Sequence, residues 1–255
     1  MIAAHPVTAE AAKSIRPSRL SLLGPLLFLP ARTALMLLAQ GLVGLILLLR
    51  GSSKAWLDAA PWWTLYGTIV DIGCLAIMWK LTRMEGSSLR ALFGTVRLFT
   101  AKDLLAGIAT FASVFPFFVF GGMLSAYWLY GSIRVDPFPG LLSHRVLPVW
   151  AVIYSRTLWW MIWSPTEEMT YNGYCLSRLR SSTTTGVAVL LVGFWWAIQH
   201  SFLPFIPDWR SFFWRFLAFV PGVIAFILIY LRTRRLTPLI LAHWPMDIIA
   251  TIMTM

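Results

Sequence analysis

From Leu104 to Tyr130 the chain runs for 27 residues without a charged side chain. At about 1.5 Å per residue such a helix exceeds the roughly 30 Å of bilayer hydrocarbon. Further apolar stretches lie at about Ala31–Leu49, Trp62–Trp79, Gly186–Ile206, Phe213–Leu231 and Leu236–Thr254, and another begins near Val146. A backbone crossing hydrocarbon must satisfy its own hydrogen bonds, which leaves helices as the reading for apolar runs of this length. The expected fold is an all-α, polytopic membrane helical bundle with about seven transmembrane helices. Only 12% of residues are charged, against roughly 25% in soluble domains. Residues 1–19 read as a polar, basic cytoplasmic tail, and residues 20–255 as one transmembrane domain. Lys13, Arg16 and Arg19 ahead of the apolar run from Leu20 imitate a signal peptide, but the run continues through Leu49, which favours an uncleaved first span.

The net charge of +11 fits basic loops against anionic lipid headgroups. No soluble basic module is present, which argues against a nucleic-acid partner. With the N-terminus inside, thirteen lysines and arginines fall on the cytoplasmic side and six on the other, which favours a cytoplasmic N-terminus. A bacterial inner membrane is the expected location. The loop Lys80–Lys102 is a candidate interfacial amphipathic helix, and Gly121-Gly122 a candidate close helix contact. Cys74 lies within an apolar run, so neither a disulfide with Cys175 nor a cysteine metal site is expected.

Acids are scarce, ten in 255 residues, yet Glu167 and Glu168 follow the apolar, aromatic run Leu158–Trp163. Carboxylates beside hydrocarbon cost several kcal/mol and mark function by default. Two more polar groups sit on late spans: His200, and His243 with Asp247. Positions four apart share a helix face, so Glu168 pairs with Asn172 and His243 with Asp247. Glu167 points about 100° from Glu168 and shares its face with Tyr171. Three late helices can thus bring Glu, His, His and Asp together. A desolvated glutamate can activate water, and histidines can support an oxyanion or hold a metal. Glu167, His200 and His243 also form a candidate zinc set.

Plainer readings exist for each element. A histidine on a span often bonds a neighbouring helix, the glutamates could anchor or relay protons, and His243 with Asp247 could be a structural pair. Asp71, inside the second span, reads as a bond to Arg32, Arg156 or a neighbouring helix, or else as a proton or cation site. The joint occurrence of the three groups is harder to explain as packing.

Glu167-Glu168-x-x-x-Asn172, Trp196-x-x-x-His200 and His243-x-x-x-Asp247 resemble, in order and placement, the type II CAAX prenyl protease and bacteriocin-processing (CPBP, Abi) family of intramembrane proteases. That family's pattern is Glu-Glu-x-x-x-Arg, Phe-x-x-x-His and His-x-x-x-Asn or Asp, and the likeness covers about residues 146–255. Trp196 replaces Phe, and Asn172 stands where the family has Arg, which removes a cation beside the glutamates. The resemblance implies hydrolysis of a peptide bond in a membrane-associated peptide or protein. Glu167 would be the general base, with Glu168 and Asn172 supporting it and Trp196 walling the site. His200 would hold the water, and His243 and Asp247 would stabilise the oxyanion and orient the site. A bound metal such as zinc stays open. The rival expectations are a non-catalytic homologue acting in bacteriocin self-immunity or as a membrane scaffold, and a proton-coupled transporter.

Overall fold

The computed structural model describes residues 19–93, 100–133, 142 and 146–253. The expected tail therefore lies, apart from Arg19, outside the described residues, as do His5, His144 and positions 94–99 of the basic loop. Ten α-helices are described: α1 Arg19–Leu49, α2 Ala55–Ala59, α3 Trp63–Met84, α4 Ala101–Tyr130, α5 Val149–Thr157, α6 Trp159–Glu168, α7 Ser177–Ser182, α8 Thr185–Gln199, α9 Trp209–Thr233 and α10 Thr237–Met253. The chain is an all-α polytopic membrane bundle. Five stretches are long and apolar enough to cross a membrane: Leu22–Leu49, Ala55–Met84, Ala101–Tyr130, Thr185–Phe202 and Trp209–Thr233. α10 is apolar but shorter, and the segment α5–α7 is interrupted. Seven passages were expected, and these two are the ones that length and composition alone do not certify.

Two spans and one loop differ from expectation. α1 begins well before Ala31 and contains both Pro25 and Pro30. Proline is tolerated there because tertiary packing holds the early turns. A Cβ on Gly24 would lie 2.7 Å from the Tyr174 hydroxyl, and the rings of Phe28 and Tyr174 meet edge to face at 6.0 Å. The span expected from Val146 is broken at Leu158, where α5 gives way to α6. It then widens into a π-helix over Met169–Leu176, every residue of which is buried. In the basic loop, residues Leu89–Phe93 form a short 3-10 turn, not an amphipathic helix.

The helices are positioned by small residues and caps. A Cβ on Gly107 would lie 2.8 Å from Leu241 of α10, and one on Gly121 2.5 Å from the Ala218 carbonyl of α9. α4 is therefore held against both α9 and α10. Gly121 makes the close approach that its sequence suggests, whereas Gly122 contributes its carbonyl to the Trp214 indole N–H at 3.1 Å. Thr100 and Asp103 form a reciprocal capping box at the start of α4, and Asp103 also pairs with Arg235 ahead of α10. Asp208 caps α9 by accepting from the Ser211 amide at 2.8 Å. Bonds from the Ser211 and Arg210 amides and the Ser211 hydroxyl, with Arg210 nearby, hold its carboxyl below the usual carboxylate range. Pro238 sits at the start of α10, while Pro221 and Pro245 lie inside helices and Pro204 in the turn before α9.

Candidate active site

Glu167 and Glu168 end α6, two residues after Pro165 and immediately ahead of the π-helix. Proline withholds one backbone donor, and π-helical turns recur at functional sites. Both side chains are fully buried. Glu167 Oε2 accepts from the Trp196 indole N–H at 2.9 Å, and Oε1 accepts from the Gln199 amide. The Tyr171 hydroxyl donates in turn to Gln199 Oε1 at 2.7 Å, and the Tyr171 ring stacks on Trp196 at 5.1 Å and 10°. Tyr171 therefore serves the Glu167 face that its i+4 spacing assigned to it. Trp196, expected as an aromatic wall, is also a hydrogen-bond donor to the carboxylate.

Glu168 accepts from the Asn172 amide at 2.8 Å and from His243 Nδ1–H at 3.2 Å. His243 Nε2 faces two carboxylates, Glu167 Oε2 and Asp247 Oδ1, each at 3.6 Å. Those spacings exceed a direct hydrogen bond and are of the kind that tighten or take in a water when substrate binds. Asp247 Oδ2 accepts from the Ser164 hydroxyl at 2.5 Å. The spacing arguments for Glu168 with Asn172 and for His243 with Asp247 both hold in the structure.

His200 falls just past α8, in a 3-10 turn, and stacks on Phe219 at 3.7 Å. Its Nδ1 lies 2.8 Å from the Trp196 carbonyl. A carbonyl only accepts, so Nδ1 carries the hydrogen and Nε2 of the neutral ring is the acceptor. Both His200 and His243 couple electrostatically to Glu167. The sequence alone sets His200 deeper than glutamates near their helix end. The structure removes that mismatch: the Glu167 segment runs on to Ser182, and His243 lies seven residues into α10.

The largest departure is Arg32. It is fully buried on α1, with Nη2 2.7 Å from Asp71 Oδ1 and 3.6 Å from Glu167 Oε1, and its guanidinium lies over the Trp163 ring at 4.5 Å. A cation beside the glutamates is present after all, supplied by the first helix and not by position 172. The Asp71–Arg32 pair was one reading of the sequence; its extension to Glu167 was not. A charged residue inside an apolar span was the available signal, but only tertiary packing names the partner. Gln199 and Ser164 were also missed, and their signal was adjacency to His200 and to the glutamates.

His200, His243 and Asp247 line a cavity of about 390 Å³ together with Trp63, Trp159 and Trp163. The candidate zinc set Glu167, His200 and His243, left open by the sequence, is not arranged as one. Among the described residues no group of three or more His, Cys, Asp or Glu side chains could hold a metal ion. Both Glu167 oxygens accept from protein donors with a guanidinium behind them, and His243 Nδ1 is bonded to Glu168. These donors do not fit a metal. Cys74 and Cys175 are buried free thiols.

Fold and site together define a polytopic helical membrane protein with carboxylates and imidazoles gathered within the bundle. Residues 148–249 match the family model of the type II CAAX prenyl endopeptidase Rce1-like proteins. This is the family the three motifs resemble, and Glu167, Glu168, Asn172, Trp196, His200, His243 and Asp247 all fall inside the match. The match spans 102 of the 255 residues, and it is this segment that is similar to the type II CAAX prenyl endopeptidases. No curated protein and no solved structure matches the chain.

Proposed function

We propose that the protein is an intramembrane endopeptidase that hydrolyses a peptide bond of a membrane-associated peptide or protein through water activated by Glu167. The observation that carries this reading is the meeting of Glu167 and Glu168 from α6 with His243 and Asp247 from α10, beside the cavity that His200 also lines. Trp196 and Gln199 fix both oxygens of Glu167 toward one orientation, and Arg32 balances its charge in a site where water screens little. Glu167 takes a proton from water as the water oxygen attacks the scissile carbonyl, and returns that proton to the leaving amine nitrogen as the C–N bond breaks. His200, with Nε2 as acceptor, holds that water. In its imidazolium form His243 keeps Nδ1–H on Glu168 and presents Nε2–H, 3.6 Å from Glu167, to the oxyanion that forms. Glu168, anchored by Asn172, and Asp247, anchored by Ser164, fix the His243 ring from two sides. Asp247 as arranged accepts hydrogen bonds, so it orients His243, and it would donate to an oxyanion only in its protonated form.

Asn172 is the feature that favours a non-catalytic homologue, since it lacks the charge of the family arginine. The Arg32 contact weakens that objection, because the cation is restored from α1. The test is cleavage of a membrane-peptide library by the purified protein, its Glu167→Gln and His243→Ala variants, and the wild type with chelator. Cleavage by the wild type, its loss in both variants and its survival with chelator are the expected results. Cleavage that persists in both variants would remove the site from the reaction.

A further inference from the structure

The cavity opens at one end of the bundle, and the basic residues gather at the other. Cavity-lining residues come from the C-terminal half of α4 (Phe118, Met123), the N-terminal half of α9 (Trp214, Phe219) and the C-terminal part of α10 (Ala250, Met253). Trp63 at the start of α3, Leu203 and Pro204 after α8, and Ile133 just beyond α4 complete the same end. Ile133 and Met253 are 51% and 73% exposed, so the mouth lies there. Exposed Tyr127, Trp128, Trp150 and Trp209 cluster around this end, as amphipathic rings do at a membrane–water boundary.

The opposite end is where α3 and α9 finish and α4 and α10 begin. Lys80 and Arg83 lie in the last turns of α3, Arg90 follows it and Lys102 opens α4. Arg178 and Arg180 lie on α7, and Arg232, Arg234 and Arg235 link α9 to α10. With Arg19 at the start of α1, those are ten cations among the described residues. The cavity end carries five: Arg50, Lys54, Arg156, Arg210 and Arg215. Arg19 belongs to the basic end because α1 runs from there toward the cavity end. Cations retained on one side of a helical membrane protein mark the cytoplasmic side.

We infer that the cavity opens on the non-cytoplasmic face of the membrane, so that the peptide segment it takes belongs to a membrane-anchored protein exposed on that face. The inference rests on the proteolytic reading for its substrate but not for its geometry. The cavity wall is apolar and aromatic around four ionisable side chains, His200, Arg215, His243 and Asp247, and Val119 and Met123 of that wall are also exposed on the outer surface of the helices. Such a mouth suits a segment lying at the boundary between lipid and water on that side, with its scissile carbonyl reaching inward to His243 and Asp247.

The test is labelling with a membrane-impermeant maleimide in sealed right-side-out and inverted vesicles from cells expressing single-cysteine additions. Ile133→Cys reports the mouth, and Ser182→Cys, exposed at the end of α7, reports the basic end. The unmodified protein is the blank, its two thiols being buried. Ile133→Cys should label at least ten-fold faster in right-side-out vesicles, and Ser182→Cys at least ten-fold faster in inverted ones. The reverse pattern, or equal labelling of either position in both preparations, overturns the inference. Because labelling needs no turnover, the expected pattern without peptide cleavage would count against the protease reading alone, and cleavage with reversed labelling against the sidedness alone.

Discussion

Replacing Arg32 with methionine tests whether the buried cation on α1 holds the site together. The substitution keeps a long, flexible side chain, so little cavity is created. What it removes is the counter-charge of two carboxylates, Asp71 at 2.7 Å and Glu167 at 3.6 Å, in a pocket where all three side chains are fully buried. Removing one partner of a buried pair typically costs about 3–5 kcal/mol, because the orphaned charge stays desolvated. The stacking of the guanidinium on Trp163 adds up to about 2 kcal/mol when desolvated, part of which methionine packing returns. A loss of about 4 kcal/mol is expected, or about a thousand-fold in the unfolding equilibrium at 1.4 kcal/mol per decade. The assay is unfolding in mixed micelles of rising SDS fraction, followed by tryptophan fluorescence. Adding Asp71→Leu should recover roughly half of the loss, since one carboxylate is then left unbalanced in place of two. An Arg32→Met protein within about 1 kcal/mol of wild type would refute the reasoning and mark the contact as energetically idle.

Other perturbations isolate other parts of the structure. Trp196→Phe keeps the ring on Tyr171 but removes the donor to Glu167; a lost hydrogen bond to a charged group is worth about 1.5–3 kcal/mol, so peptide cleavage should fall about ten- to hundred-fold while the fold, read by circular dichroism, is kept. Glu167→Gln should reduce cleavage by about 10²–10⁴-fold, the usual worth of a general base, without weakening peptide binding. Gly121→Leu should lower thermal stability in detergent by at least about 1–3 kcal/mol, because its Cβ would meet the Ala218 carbonyl at 2.5 Å. Asp208 is held below the usual carboxylate range by its capping bonds, so its contribution is present above that range and lost as pH falls through the lowered native value. Asp208→Ala should therefore lower the unfolding midpoint at pH 7 and become indistinguishable from wild type in strong acid.

The membrane helices were legible because hydrocarbon permits so few backbones; apolar runs and their lengths suffice to find them. The glutamates, histidines and Asp247 were legible because ionisable groups are rare in such a chain, and the i,i+4 spacings named two of the contacts. What sequence could not supply was the third dimension between helices. Arg32 reaches Glu167 from a position 135 residues earlier, and nothing local to either residue encodes that meeting. The start of α1 was misplaced for a related reason: Pro25 and Pro30 read as breakers until the packing of Gly24 and Phe28 against Tyr174 is known. The stretch from Val146 reads as one continuous span, whereas the chain breaks at Leu158 and widens at Met169.

That widening has a consequence for how the segment can change over evolution. A π-helical run holds more residues per turn than an α-helix, so it accommodates residues that a regular helix of the same rise could not. Deleting a single residue between Met169 and Leu176 would let the run relax toward α-helical winding, which turns about 100° per residue. Everything on one side of the deletion would then rotate against the other. Either the glutamates would leave Trp196 and His243, or α7 would carry Arg178 off Glu85, 2.7 Å away. Substitutions along this stretch alter one contact at a time, whereas a change in its length alters the angular phase between the carboxylates and the rest of the bundle. Length conservation across Met169–Leu176, more than identity at any one of its positions, is the constraint this winding imposes on functional relatives.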